Sequence, residues 1–440
     1  MGVVNMKFCL DDFKIALQNG LLSPFNFSYG YIDEAKFNHF KEETKWKSDK
    51  IKQTYDELRK RMGKSYFSNV MLAQSKALDY STLQFPAYSM IIVEDLVDDW
   101  LAIVDSPHKK YARDHSLHQP LTAYVVAALL GYGDAQKSLK IPVGKGNLLD
   151  FCIDAIFDPG TRYIIEMAQK LGFPDNLLLD NKTSRIFWKG VFYRTAILSA
   201  LFHDMGYPWQ YVDKVGTSLK RVVPQLHPSE KVVFSIIENY KDRMVFLPLL
   251  HYNTVLPNYS VQEKRSLFEL TSAALETHGF PGAIAFLSLN DAIRKYPCID
   301  PSAKIHELSI EWAAMGIFMH DMEGKHTDLF PKFRINFVKD PLSSIVSLAD
   351  YLEEFDRPKV SFSSKRRNES RMKFYSDCSS VEINVNSDGV LSVEMKYTRT
   401  SSKVVAAKFK RKETDNYFNP STGYLDLSSL GIKRVEYTQM

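Results

Sequence analysis

Long apolar runs recur through the first 357 residues, and their length predicts helices rather than strands. Such runs lie around Met90, Ala196, Ala283 and Trp312, and each exceeds the roughly 4–8 residues that are typical of a strand. A more polar stretch, residues 47–62, repeats its apolar positions at the spacing of one face of a surface helix. We therefore predict an all-α body for this part of the chain.

The pattern changes to a period of two beyond Arg357. Residues 379–398 alternate apolar and polar positions on both sides of Asp388-Gly389, which indicates a hairpin with a tight turn. A Ser-rich basic stretch, residues 361–371, separates this segment from the helices. The predicted fold is mainly α with a small β-rich C-terminal appendage over residues 358–440.

An adjacent His203–Asp204 pair ends one of the apolar runs. His203 continues the helical face of Ala196 and Ala200, and Asp204 continues a neighbouring apolar face before Gly206 ends the helix. Burying an imidazole and a carboxylate costs free energy unless each has a partner, and a divalent cation satisfies both. A local hydrogen bond at the helix end is the alternative, so the dipeptide alone does not establish a metal site.

Five further His and Asp residues border apolar segments. His115 and His118 lie three positions apart, so that both side chains could face one cavity from a single helical turn. His278 precedes a small-residue apolar segment, His320 ends another, and Asp350 lies in a third. Taken singly, His278 and His320 could be core histidines, and His115 and His118 could be a surface pair. Their order along the chain matches the ligand order of a known family, and that resemblance favours a metal site.

This order resembles the HD superfamily of metal-dependent phosphohydrolases, whose pattern is an upstream His, a His-Asp doublet and a distant Asp. The matching strings are R-D-H-S-L-H-Q-P, L-F-H-D-M-G and S-L-A-D-Y-L. The strings L-E-T-H-G-F-P-G-A and I-F-M-H-D-M resemble the second half of HD enzymes with an expanded metal site, such as HD-GYP phosphodiesterases and HD hydrolases of dinucleoside polyphosphates. The resemblance spans about residues 110–356.

The resemblance implies a division of the chain into three segments. An HD-domain helical core would occupy residues 110–357, with an insertion at about 131–185. A helical amino-terminal segment, residues 1–109, would pack on that core, and the basic β-rich region would follow it.

The resemblance also implies a role for each candidate residue. Asp204 would bridge two ions and act in catalysis, and His115 would donate a proton. The remaining ligands of the first ion would be His118, His203 and Asp350, and those of the second His278 and His320. Arg113 and Lys214 would pair with substrate phosphate. Mixed imidazole and carboxylate ligation suits two divalent transition-metal ions, from among Mn, Fe, Co, Ni and Zn, better than Mg.

The function expected from this resemblance is hydrolysis of a phosphoester or phosphoanhydride, above all of a nucleotide, by a water that metal ions activate. A phosphorylated small molecule is thus the expected partner. One alternative is a regulatory, scaffold or nucleic-acid-associated protein that keeps the HD helices without turnover. Another is a hydrolase of a non-nucleotide phosphoester, or a phosphonate-like oxygenase on the same fold.

Charge and cysteine content bear on the binding partners and the cellular compartment of the protein. The net charge is +4, yet residues 357–440 hold 16 Lys and Arg against 9 Asp and Glu. This basic region could bind nucleic acid, although a solvated basic face is favoured because no aromatic-interleaved motif is visible. The four scattered cysteines argue against a disulfide framework or a zinc ribbon. No signal-peptide pattern and no apolar run near the ~18–20 residues of a membrane span are present, so we expect a cytoplasmic protein.

Overall fold

The computed structural model describes residues 4–18, 115–142, 144, 146–158, 162–206, 209, 230–250, 266–294, 303–322, 334–355, 358–360, 373–375, 378–398 and 410–439. These residues are mostly helical, with a small mixed sheet, as the sequence predicted. The helices predicted at residues 47–62 and around Met90 lie outside the described residues.

Twelve helices are labelled in chain order within the described ranges. They are α1 (Leu10–Gln18), α2 (His115–Leu129), α3 (Leu148–Ile156), α4 (Arg162–Lys170), α5 (Asp175–Leu178), α6 (Lys182–Phe202), α7 (Glu230–Tyr240), α8 (Leu247–Leu250), α9 (Leu267–Ala274), α10 (Gly279–Arg294), α11 (Ala303–Met319) and α12 (Pro341–Leu352). The strands are β1 (Val4–Cys9), β2 (Ile335–Asn336), β3 (Pro358–Val360), β4 (Lys373–Tyr375), β5 (Cys378–Val385), β6 (Val390–Tyr397), β7 (Leu425–Asp426) and β8 (Arg434–Gln439). Residues 410–417 are also helical.

Helix α6 lies at the centre of the helical body. It begins with a capping box in which the Asn181 side chain accepts from the Ser184 backbone N–H and the Ser184 side chain accepts from the Asn181 N–H. From Phe187 onward almost every side chain is buried, because α2, α11 and α12 all pack against this helix. A helix that is buried on all sides carries its end into the protein interior, so His203 and Asp204 are placed inside the body.

Helix α12 begins at the buried residue Asp340. The Asp340 side chain accepts a hydrogen bond from the Ser343 backbone N–H at 3.0 Å, and Pro341 occupies the first helical position. Both are favoured at helix starts, where four backbone N–H groups lack partners. The helix packs against α2, α6 and α11, and Asp350 lies in its last turn.

The hairpin predicted from the sequence is confirmed. Strands β5 and β6 pair antiparallel, and the turn between them contains Gly389 with a φ of 79°. The sheet order is β1-β5-β6-β8, with β6 and β8 parallel. Strand β1, which the sequence pattern did not predict, pairs antiparallel with β5. The sheet therefore joins both ends of the described chain.

The C-terminal region packs on the helical body. Strand β7 pairs in parallel with β2, and the Tyr417 hydroxyl donates to the backbone oxygen of Ser347 in α12 at 3.1 Å. Residues 131–185, predicted as an insertion, supply α3, α4, α5 and the start of α6. The division of the chain into three segments stays a prediction.

Within the described part of the chain, none of the helices combines the length and the apolar character needed to cross a bilayer.

Candidate metal centre

Six His and Asp side chains expected as metal ligands converge at the ends of five helices. His203 and His320 directly follow the last residues of α6 and α11, and His278 directly precedes α10. His118 lies in the first turns of α2, and Asp350 in the last turn of α12. Each candidate ligand is therefore placed by the end of a packed helix.

Three of these residues form the first half of the cluster. The His118 Nε2 atom lies 3.0 Å from the Asp350 Oδ1 atom and 3.1 Å from the His203 Nε2 atom. It is also 3.5 Å from the Asp204 Oδ2 atom. Ligand atoms from His118, His203 and Asp350 all lie within 4.8 Å of one another, which is close enough for a single ion to contact all three.

The second half of the cluster is built around the other oxygen of Asp204. The Asp204 Oδ1 atom lies 3.2 Å from the His278 Nε2 atom and 3.5 Å from the His320 Nε2 atom. His203 Nε2 is also 3.4 Å from this oxygen. The His203 ring lies 4.9 Å, centre to centre, from both the His118 and the His320 rings. Although the resemblance assigned His203 to the first ion alone, it lies between the two halves.

The outward-facing nitrogen of each histidine has an acceptor. The His118 Nδ1 atom lies 2.5 Å from the Glu353 Oε2 atom, and the His278 Nδ1 atom lies 2.8 Å from the Asp321 Oδ2 atom. In His203 and His320 the Nδ1 atom instead faces a backbone oxygen three residues earlier, at 2.7 Å and 2.6 Å. Such partners fix the ring orientation and favour a proton on Nδ1.

With Nδ1 protonated, the Nε2 lone pairs of the four rings face one another. The two closest Nε2 pairs are 3.1 Å and 3.0 Å apart. Two lone pairs at this distance repel each other, so the arrangement needs either a proton or a cation between them. Metal-ligating imidazoles typically have this arrangement, with one nitrogen on the ion and the other on a protein acceptor.

The two histidines with shifted pKa values differ in charge when no cation is bound. Burial lowers the pKa of His203 to about 3, against the opposing effect of Asp204 and Asp350. Burial also lowers the pKa of His278, but Asp321 and Asp204 outweigh it and raise that pKa to about 9. At pH 7 His203 is therefore neutral, whereas His278 carries a proton that a metal ion would have to displace.

The carboxylates of the cluster favour a bound cation. The carboxylates of Asp204, Asp350, Glu353 and Asp321 all lie against the four imidazoles. When these four carboxylates are ionised they carry four negative charges, which the proton on His278 offsets only in part. Buried charges are costly unless they are paired or bound to metal, and the cluster could hold a metal ion.

Close backbone contacts hold the two halves together. A Cβ atom built on Gly206 would lie 1.8 Å from the His278 backbone oxygen, and one on Gly282 would lie 2.8 Å from the Gly206 nitrogen. A Cβ atom on Gly279 would lie 2.4 Å from the Phe318 backbone oxygen. Only glycine permits such approaches, so these positions allow the doublet to reach His278 and His320.

The six candidate ligand side chains are buried except for that of Asp350. The Asp350 side chain is 31% exposed, whereas that of Asp204 is 5% exposed and that of His203 is fully buried. Among the described residues, Asp350 therefore marks the most accessible edge of the cluster.

Two functional groups in this cluster were missed by sequence reasoning, namely Glu353 and Asp321. Glu353 follows Asp350 by three positions, which is nearly one helical turn, and Asp321 repeats the His-Asp doublet after His320. Both signals are visible in the sequence, but they do not indicate which imidazole each carboxylate contacts. His115 is the first residue of α2, and its side chain lies outside the described atoms. Arg113 and Lys214 lie outside the described residues.

Comparison of the chain with protein-family models, with curated proteins and with solved structures finds no match. The likeness to HD enzymes therefore rests on the order of the motif residues and on the buried cluster they form, which could hold a metal ion.

Proposed function

We propose that the cluster is the two-ion centre of a phosphohydrolase that acts on a phosphoester or phosphoanhydride, above all of a nucleotide. The observation that carries the proposal is the position of Asp204, whose Oδ2 atom faces His118 while its Oδ1 atom faces His203, His278 and His320. A carboxylate so placed can bridge two ions and hold them close enough to act on one phosphoryl group. Bound divalent cations would supply Lewis acidity toward phosphoryl oxygens and lower the pKa of water.

The residues of the chain would hold and orient this centre. Asp204 would touch both ions, and His118, His203 and Asp350 would complete the first set. His278 and His320 would complete the second. Glu353 and Asp321 would keep the Nε2 lone pairs directed inward by accepting from Nδ1. The exposed edge at Asp350 is the side from which a phosphate group would approach.

The proposal is tested by elemental analysis together with a panel of phosphorylated compounds whose hydrolysis products are separated by chromatography. The panel contains nucleoside mono-, di- and triphosphates, cyclic nucleotides, dinucleoside polyphosphates and sugar phosphates. Asp204→Asn nearly keeps the shape of the side chain but removes its charge. It should reduce turnover by on the order of a thousandfold, or about 4 kcal/mol of transition-state free energy.

A matched control is Asp388→Asn, which makes the same change at an exposed turn of the β5–β6 hairpin. It should leave both metal content and turnover unchanged. A wild-type protein that binds two ions yet hydrolyses no compound of the panel would favour the regulatory or oxygenase alternatives. An Asp204→Asn protein with activity within about tenfold of wild type would exclude this cluster as the catalytic centre.

A further inference from the structure

Two side chains of the C-terminal region cap the ends of two ligand-bearing helices. The Tyr424 hydroxyl donates to the backbone oxygen of Met319, the last residue of α11. The Lys410 ammonium donates to the backbone oxygen of Tyr351, in the last turn of α12. Met319 directly precedes His320, and Tyr351 directly follows Asp350. Each acceptor is therefore the chain neighbour of a ligand.

These contacts supply hydrogen-bond donors to carbonyl groups at the helix ends. The last four carbonyl groups of a helix have no partner within the helix, and a buried carbonyl without a partner costs free energy. A cation at this end also interacts favourably with the helix dipole. Tyr424 and Lys410 supply these donors from a part of the chain that lies about 60 to 105 residues away in sequence.

Lys410 is held in a fully buried position. Its ammonium lies 3.0 Å from the Glu413 Oε2 atom and 3.6 Å from the Glu354 Oε2 atom, and 4.0 Å from the centre of the Tyr351 ring. A lysine that is buried in this way is tolerated only with close charged partners. These partners restrict the position of the ammonium. Because the ammonium also donates to the Tyr351 backbone oxygen, it restricts the position of that carbonyl group.

Resting on the two-ion centre proposed above, we propose that Tyr424 and Lys410 are positioning residues of that centre. Tyr424 fixes the helix end from which His320 projects, and Lys410 fixes the helix end that carries Asp350. Metal affinity is thereby coupled to docking of the C-terminal region on the helices. Loss of either contact loosens one ligand, and the two losses affect different ions.

The chain provides a matched control for Tyr424. The Tyr417 hydroxyl also donates to a backbone oxygen, that of Ser347, from the same C-terminal region. Ser347 lies in the body of α12, three residues before Asp350, so its carbonyl is not adjacent to a ligand. A contribution to fold stability alone would make the Tyr→Phe changes at both positions equivalent.

The test is a Co²⁺ titration of the full chain, followed by ligand-field absorption, alongside urea unfolding. Tyr424→Phe should lower the affinity for one of the two ions by about tenfold, which is a typical effect of losing an outer contact of a metal site. It should also alter the absorption band of that ion. Tyr417→Phe should lower the unfolding midpoint to a similar degree but leave both affinities and both bands unchanged.

A second pair of variants addresses the other ion. Lys410→Met should lower the affinity for the ion held with Asp350. It should leave unchanged the affinity for the ion that Tyr424→Phe affects. Its control is Thr414→Val, because the Thr414 hydroxyl contacts the Tyr351 phenol rather than the Tyr351 carbonyl. If Lys410→Met fails to fold, the comparison of Tyr424→Phe with Tyr417→Phe still decides.

Equal affinities in the wild type, Tyr424→Phe and Lys410→Met would overturn the positioning role while leaving the two-ion centre intact. Equal weakening by Tyr424→Phe and Tyr417→Phe would reduce both contacts to general stability. A wild-type chain that binds no Co²⁺ would instead overturn the centre itself, and with it this inference.

Discussion

At the scale of single residues, each histidine of the cluster has one nitrogen on a protein acceptor and the other directed inward. Glu353 and Asp321 supply charged acceptors, one in each half, and backbone oxygens supply the other two. Each half therefore contains one carboxylate-backed imidazole. A carboxylate partner raises the basicity of its imidazole as a ligand, so the two carboxylates should set the affinities of different ions.

Glu353→Gln and Asp321→Asn should each weaken the binding of one ion, and each variant serves as the control for the other. Both changes keep a hydrogen-bond acceptor and remove the charge. We expect losses of about 10- to 100-fold in the affinity for a single ion in each variant, measured by titration with Mn²⁺ or Co²⁺. The assignment would be contradicted if both variants lowered the affinity for the same ion, or if neither variant lowered the affinity for any ion.

Asp340 illustrates a buried charge outside the cluster. Its Oδ1 atom accepts from the Ser343 N–H, whereas its Oδ2 atom has no hydrogen-bond partner among the described residues. Burial raises the pKa of Asp340 to about 6. Because the folded-state pKa lies above that of the unfolded chain, the stability from this group is full below about pH 4 and is lost as the pH rises to about 6.

Asp340→Asn should therefore stabilise the protein above pH 6. Asparagine is an equally good helix cap, and it removes a charge whose burial costs up to about 3 kcal/mol at neutral pH. Urea unfolding at pH 4 and pH 7.5 measures the gain, which should appear only at the higher pH. Asp150→Asn is a comparator for which we expect a loss of stability rather than a gain. Burial raises the pKa of Asp150, but Lys189 and Asn147 outweigh it and lower that pKa.

At the scale of elements, the centre is assembled from helix ends. The sequence predicted the helices bearing His203, His320 and Asp350 because long apolar runs end at or near these residues. It could not predict the contacts between helices, since periodicity reports which face is buried and not which partner covers it. The approach of Gly206 to His278, across 72 positions of sequence, depends on those contacts.

Gly206→Ala should disrupt the centre through the backbone alone. The added Cβ atom would lie 1.8 Å from the His278 backbone oxygen, so the two segments must separate. We expect loss of at least the ion held by His278, together with a destabilisation of about 1–3 kcal/mol from overpacking. The control is Gly144→Ala, where the added Cβ atom meets no neighbour within 4 Å and the only cost is backbone strain at its φ of 60°. It should retain full metal content, and retained metal in Gly206→Ala would contradict the proposed geometry.

At the scale of the whole molecule, the C-terminal region is joined to both the start of the chain and the helical body. The hairpin around Gly389 was predictable because alternation and turn residues are local signals. The pairing of β1 with β5 was not, because the two strands are more than 370 residues apart in sequence. The buried Lys410 was likewise read as part of a solvated basic region, since net charge does not report burial.

The most direct test of the two-ion centre is the metal content of the purified full-length chain by elemental analysis. We expect two divalent transition-metal ions per chain in the wild type. In Asp204→Asn most of this metal should be lost, because Asp204 faces both sets of histidines. The double variant His278→Ala with His320→Ala should keep about one ion, because it removes the ligands of the second ion only. A wild-type chain without bound transition metal, or an unchanged content in Asp204→Asn, would contradict the proposed centre.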